Sequence, residues 1–167
     1  MINSKNKNCI AIIPARGGSK RIPKKNIKLF RGKPIIYYAI KVAKKSKCFD
    51  RIIVSTEDNK IAIIAKKLGA EILFKRPKKL STDYSRSTDV IKHAIKKLDE
   101  LNIKFDYICN IYPTNPLLDY KNLIKGFNFI KSNKFNYVFA VSEYPYPIQR
   151  SFKIEKGVGV KMLFSKF

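Results

Sequence analysis

Four apolar residues at positions 10–13 stand between a polar leader and Pro14. A run that short, bounded by a turn residue, has the length of a buried strand. Pro14 has no N–H to donate and is expected to stop the ladder. Over residues 34–45, Ile35, Ile36, Ala39, Ile40, Val42 and Ala43 fall on one helical face, with Pro34 at an allowed first-turn position. Residues 51–56 read as a strand, 59–68 as a helix with Gly69 at its C-cap, and 70–74 as another strand. A helix over 88–101 turns Val90, Ile91, Ala94, Ile95 and Leu98 inward, and 106–111 reads as a central strand. A helix over 119–131 turns Leu123, Ile124, Phe127 and Ile130 inward; a strand is expected at 137–142. Residues 152–154 and 158–163 look like an antiparallel pair around Lys156 and Gly157. This alternation predicts an α/β fold with a mostly parallel sheet and right-handed crossovers. Ligands of such sheets sit beyond the carboxyl ends of the strands, where loops 14–26, 55–58, 75–87 and 112–118 meet.

The first of those loops carries two adjacent glycines, Gly17 and Gly18, and five cations, Arg16, Lys20, Arg21, Lys24 and Lys25. Glycine lets a backbone approach a ligand closely, and free N–H groups beside Lys and Arg suit a polyphosphate. The spacing matches neither G-x-x-x-x-G-K-[ST] nor G-x-G-x-x-G.

Composition narrows the classes. At 167 residues and 45% hydrophobic content the chain reads as one domain, 1–167, large enough for a core. No apolar run is long enough to span a bilayer, and residues 1–8 lack the apolar middle of a signal peptide, so a cytoplasmic protein is expected. Cys9, Cys48 and Cys109 are far apart and odd in number, which argues for reduced, mostly buried thiols and against a disulfide framework or zinc site. The net charge of +24 suits nucleic acid, an anionic surface or small polyanions. The lysines, however, are spread along the chain, often as pairs on expected helices, as a solvated surface would be. Neither nucleic acid nor membrane is therefore expected as a partner.

The longer string Pro-Ala-Arg-Gly-Gly-Ser-Lys-Arg-Ile-Pro-Lys-Lys-Asn, residues 14–26, resembles the nucleotide-binding signature of the acylneuraminate cytidylyltransferases. These enzymes make CMP-activated nine-carbon sugar acids. The resemblance implies a Rossmann-like three-layer nucleotide-diphospho-sugar transferase fold and transfer of CMP from CTP to a sugar acid, with pyrophosphate released. It places Ala15, Arg16, Gly17, Gly18, Ser19, Lys20, Lys25 and Asn26 around CTP, with Arg16 and Lys20 as the catalytic cations. Arg76-Pro77 and Ser81-Thr82-Asp83 through Ser87 resemble the second family segment, in which Arg76 and Ser87 hold the cytidine. Residues 112–116, Tyr-Pro-Thr-Asn-Pro, correspond to Gln-Pro-Thr-Ser-Pro beside the acceptor sugar, which implicates Tyr112, Thr114 and Asn115. Tyr112 replaces the glutamine of the sialic acid enzymes, and Leu118 replaces an arginine. Residues 144–154 instead resemble the branch acting on pseudaminic acid, where Gln149 and Arg150 would contact the sugar carboxylate or N-acyl groups.

Family members run longer than this chain, so a C-terminally incomplete domain with an uncovered sheet edge is expected. The paired aspartates for Mg²⁺ and a homodimer segment would lie in the part beyond residue 167; residues 1–167 are expected to hold no metal site. Asp58 reads as a helix N-cap, with Glu57-Asp58 as a less favoured metal pair, and His93 as a structural residue. Two rivals stay open. One is a relative acting on sialic, legionaminic or 3-deoxy-manno-octulosonic acid. The other is a non-catalytic basic module binding nucleic acid.

Overall fold

The computed structural model describes residues 8–132 and 135–164. The polar leader and the last residues of the chain, 165–167, on which sequence readings also fell, lie outside the described residues.

β1 (Cys9–Pro14) is the middle strand of a parallel three-stranded sheet, between β4 (Arg51–Ser55) and β5 (Tyr107–Asn110). A small antiparallel pair, β2 (Leu29–Phe30) and β3 (Lys33–Pro34), leads into α1 (Ile35–Ser46). α2 (Asn59–Lys67) follows β4, α3 (Ser87–Glu100) precedes β5, and α4 (Tyr120–Lys131) follows it. β6 (Phe152–Glu155) and β7 (Gly159–Met162) form the expected hairpin. Side chains alternate across a strand, and β1 shows the result. Ala11 and Ile13 pack with Ile36, Ala39 and Ile40 of α1 and Ile61 and Ala65 of α2. Ile10 and Ile12 pack on the other face with Ile53, Phe74, Ala94 and Leu98. Helices thus cover both faces, giving three layers. No helix of the described residues is long and apolar enough to cross a membrane.

The helices begin and end within a residue of their expected bounds. Asp58 caps α2, accepting from the backbone N–H of Lys60 and Ile61, and Gly69 takes the left-handed φ of +78° just past its end. Asp119 caps α4 through Lys121.

Four strand expectations need correction. Pro14 does not stop the ladder toward β4: it pairs with Ser55, and Ala15 N–H still donates to Ser55 O at 2.9 Å. Its missing N–H faces the other neighbour, where pairing ends as Ile111 N–H reaches Ile12 O. Residues 70–74 are not a strand. Glu71 bridges Ile53 and Lys75 bridges Thr56, so four steps on one side face three on the other; the extra residue is a bulge that breaks the ladder. β5 is not central but at the edge of the sheet described. Residues 137–142 form no strand, and Tyr137, Phe139 and Val141 are exposed. Among the described residues no further strand pairs with β5, and none of Leu123, Ile124, Phe127 and Ile130 of α4 is fully buried.

The three cysteines are free, and only Cys9 is fully buried. Burial, then Cys109, Cys48 and Asp50, push the Cys9 thiol from 9.0 up to about 12; burial pushes Cys109 to about 11. A folded pKa raised above the unfolded one contributes stability that is intact below pH 9 and lost as pH climbs toward 12. Cys9 is therefore expected to resist a thiol-disulfide reagent at pH 8 and to react once guanidinium unfolds the chain. Labelling of Cys9 in the native protein, read by peptide mass, contradicts the burial.

Candidate active site

Four loops converge at the carboxyl ends of the strands around a pocket of about 210 Å³. Its lining takes Pro14, Arg16, Lys25 and Asn26 from the first loop and Arg76, Leu80, Thr82, Asp83, Ser85 and Ser87 from the third. Tyr112, Pro113 and Thr114 close it from the fourth. A larger hollow of about 530 Å³ lies between α1 and the start of α4, but of the motif segments only Leu118 reaches it and none of the expected site residues does. The chemistry therefore places the site in the smaller one.

The first loop is held from within. Asn26 is 3% exposed and donates Nδ2–H to Arg16 O at 2.8 Å, while its Oδ1 has no partner among the described residues. Ala15 is fully buried, and its N–H is spent on Ser55. Gly17 N–H donates to Glu57 Oε1 at 2.7 Å, and Ser19 N–H to Gly17 O at 3.0 Å. The loop's backbone is thus less free for phosphate than its glycines suggest. Gly17 is needed for packing: a Cβ there would stand 2.5 Å from Asp58 Oδ2 and 2.8 Å from Asp58 Cβ, whereas one on Gly18 meets nothing within 4 Å. Gly17→Ala is expected to cost about 1–3 kcal/mol, and Gly18→Ala nothing measurable, in thermal melts. A loss of nucleotide affinity in the stable Gly18→Ala variant then reports close approach of the ligand itself.

The cations differ in setting. Arg16 is paired with Asp83, and its buried Nη1 has no partner among the described residues. That contact, helped by the charges of Arg16, Lys20 and Arg21 and opposed by desolvation, leaves the Asp83 carboxyl below its usual range. Lys20 is 87% exposed and 3.8 Å from Asp83, outside the lining. Arg76 is 4% exposed and donates Nη2–H to Glu57 Oε2 at 3.1 Å, while its Nε has no partner among the described residues. Burial lowers the Arg76 pKa and Glu57 opposes the shift. Tyr112 Oη and Ser87 Oγ stand 3.1 Å apart, joining the third and fourth loops.

Seven of the expected residues come together, Arg16, Lys25, Asn26, Arg76, Ser87, Tyr112 and Thr114, while Ala15, Gly17, Gly18, Ser19 and Lys20 of the same loop stay outside the lining. Asn115, Gln149 and Arg150 do not line it; the last two sit on an exposed 3-10 turn, Ile148–Arg150. His93 stacks edge-on against Phe74, 5.4 Å between ring centroids, outside the pocket. Sequence reasoning named Glu57 only as half of a less favoured metal pair and Asp83 only within a family segment; it missed that the two carboxylates organise Arg76 and Arg16. A signal was present: acids are outnumbered 12 to 36, so one immediately after a strand and one opposite a basic loop are conspicuous. No three His, Cys, Asp or Glu side chains cluster as a metal site among the described residues.

The Cytidylyltransferase family model matches residues 10–161. The pseudaminic acid cytidylyltransferase of Campylobacter jejuni is 43% identical over 94% of this chain and 68% of its own length. Among solved structures, CMP:2-keto-3-deoxy-manno-octonic acid synthetase complexed with CTP superposes with a TM-score of 0.65 at 20% identity, over 76% of this chain and 48% of that one. Rv0371c from Mycobacterium tuberculosis, in complex with manganese, gives 0.51 at 13% identity over 75% of this chain and 61% of that one. These two likenesses bear out the three-layer α/β fold.

Proposed function

We infer the reaction from one premise: this chain belongs to the cytidylyltransferase family. The reading is transfer of CMP from CTP to a nonulosonic sugar acid of the pseudaminic type, for glycan biosynthesis. A single observation carries it. The pocket that holds the motif cations Arg16 and Lys25 also gathers, from the third and fourth loops, Arg76, Ser87, Tyr112 and Thr114.

In this reading Arg16 and Lys25 face the triphosphate, Lys20 approaches from solvent, and the loop residues Ala15, Gly17, Gly18, Ser19 and Asn26 shape its seat. Arg76 and Ser87 hold the cytidine; Tyr112 and Thr114 stand on the acceptor side, with Asn115, Gln149 and Arg150 reached only if their segments move inward. The anomeric hydroxyl oxygen of the sugar attacks the α-phosphorus in line, its proton passing to water. The bond from α-phosphorus to the bridging oxygen breaks, and pyrophosphate leaves with its charge met by Arg16 and its neighbours. No covalent enzyme intermediate is required.

The resemblance implies Mg²⁺, but the described residues do not fit such an ion by themselves. Both Glu57 oxygens are engaged, Asp83 is tied to Arg16, and Asp58 caps α2. The carboxylates beside the pocket serve its cations instead. The match over residues 10–161 supports one cytidylyltransferase domain. CTP dependence suits the cytoplasm, and a second copy of the chain is the expected partner, with no nucleic acid or membrane.

The test is pyrophosphate release with Mg²⁺, CTP and either pseudaminic or N-acetylneuraminic acid, by a version of the chain extended to the length of its relatives. Turnover with pseudaminic acid alone is expected. Turnover with N-acetylneuraminic acid favours the sialic relative. Steep salt-dependent RNA binding with no preference for CTP over ATP overturns the reading.

A further inference from the structure

Glu57 lies where β4 ends and α2 has not begun, with its side chain 17% exposed. Its two oxygens serve two different loops. Oε1 accepts from Gly17 N–H at 2.7 Å, and Oε2 from Arg76 Nη2 at 3.1 Å. The backbone repeats the tie: Arg76 N–H donates to Thr56 O at 3.0 Å. A guanidinium is a rigid planar fork. Holding it by Nη2 fixes its plane and leaves Nε, buried and without a partner among the described residues, on a side chain that lines the pocket.

We propose that Glu57 is a positioning residue that sets the choice of pyrimidine through Arg76. The proposal rests on the CTP reading above, and its chemistry is specific. Cytosine presents two adjacent acceptors, O2 and N3; uracil presents O2 but an N3–H donor. A guanidinium clamped in one plane can donate to both cytosine acceptors and meets uracil donor against donor, which a buried site does not tolerate. A guanidinium free to swivel loses that distinction. The same carboxylate fixes Gly17, so the nucleobase end and the phosphate loop are held in register by one side chain.

Simple charge counting predicts the opposite outcome. Removing an anion from beside a polyphosphate site should tighten every nucleoside triphosphate alike. The experiment is calorimetric titration of the full chain and of Glu57→Gln with CTP and with UTP, alongside thermal melts. The amide introduced by Glu57→Gln keeps an oxygen for Gly17 but turns an NH₂ toward Arg76. The expected result is a fall of about tenfold in the preference for CTP over UTP. Glu57→Asp keeps the charge but is one methylene too short to reach both partners, so a smaller fall is expected; it decides the matter if Glu57→Gln does not fold. An unchanged ratio overturns the proposal, whether both nucleotides weaken together, as a merely structural role predicts, or both tighten. If the wild-type chain binds neither nucleotide, the CTP reading itself fails and this inference falls with it; if it binds CTP well and the ratio holds in the variants, only this inference fails.

Discussion

Arg16→Ala is expected to reduce kcat/KM for CTP by about 100- to 1,000-fold, the usual cost of losing a preorganised charge aimed at a transition state. Arg16 earns this ranking by its surroundings. It lies just past the middle strand, its carbonyl is held by Asn26, and its Nη1 is buried with nothing to donate to among the described residues. A buried donor without an acceptor is costly in the empty protein, and a phosphate oxygen would relieve it. Lys20 has the same formal charge but is 87% exposed, so water screens it. Lys20→Ala is expected to cost about threefold if the loop stays as it is. The check is steady-state pyrophosphate release with CTP binding measured in parallel. Equal losses at the two positions would show that the loop folds over the nucleotide and recruits Lys20. An Arg16→Ala variant with unchanged affinity and turnover would remove the basis for placing CTP here. Asp83→Asn should move affinity the other way, a few-fold tighter, because it frees the cations it now holds.

Ile12→Ala is the substitution expected to damage the fold most. Ile12 is completely buried in the middle strand and packs with Ile10, Ile53, Phe74, Ala94 and Leu98. Cutting it back removes transfer energy and leaves a cavity between sheet and α3, at about 2–5 kcal/mol. For a chain of this size that is a Tm lower by roughly 5–15 °C. Ile154→Ala, on the exposed hairpin at 82% accessibility, is expected to stay within about 0.5 kcal/mol. Thermal and urea unfolding of both variants test the pair. If Ile12→Ala melts within about 2 °C of the parent, well short of the expected shift, the two-faced core around β1 does not exist in solution.

The helices were legible because their signals are local. An apolar face repeated over three turns, an aspartate before α2 and a glycine after it fix both ends without reference to the rest of the chain. The strands were less so, because pairing is a long-range property. Nothing in residues 70–74 announces that their register slips by one against β4, and the apolar composition of 137–142 describes a buried strand only if something covers it. The pocket was legible through one contiguous string. Its wiring was not: Glu57 meets Gly17 across 40 positions, and Asp83 meets Arg16 across 67. Such contacts exist only after the sheet has brought the loops together. For the same reason Lys20, indistinguishable from Arg16 by motif, proves far more exposed.

The pairing of Arg16 with Asp83 and of Arg76 with Glu57 alters how the protein should respond to ionic strength. An open cluster of cations gathers small mobile anions, which an arriving polyphosphate must expel, and affinity then drops steeply as salt is added. Here the counter-ions are built into the chain. Loading the nucleotide exchanges a tethered carboxylate for a phosphate, and salt weakens the outgoing contact along with the incoming one. Despite its +24 charge, the pocket is wired to hold its ligand with a shallow dependence on salt, while the lysines on its outer surface remain fully sensitive to it.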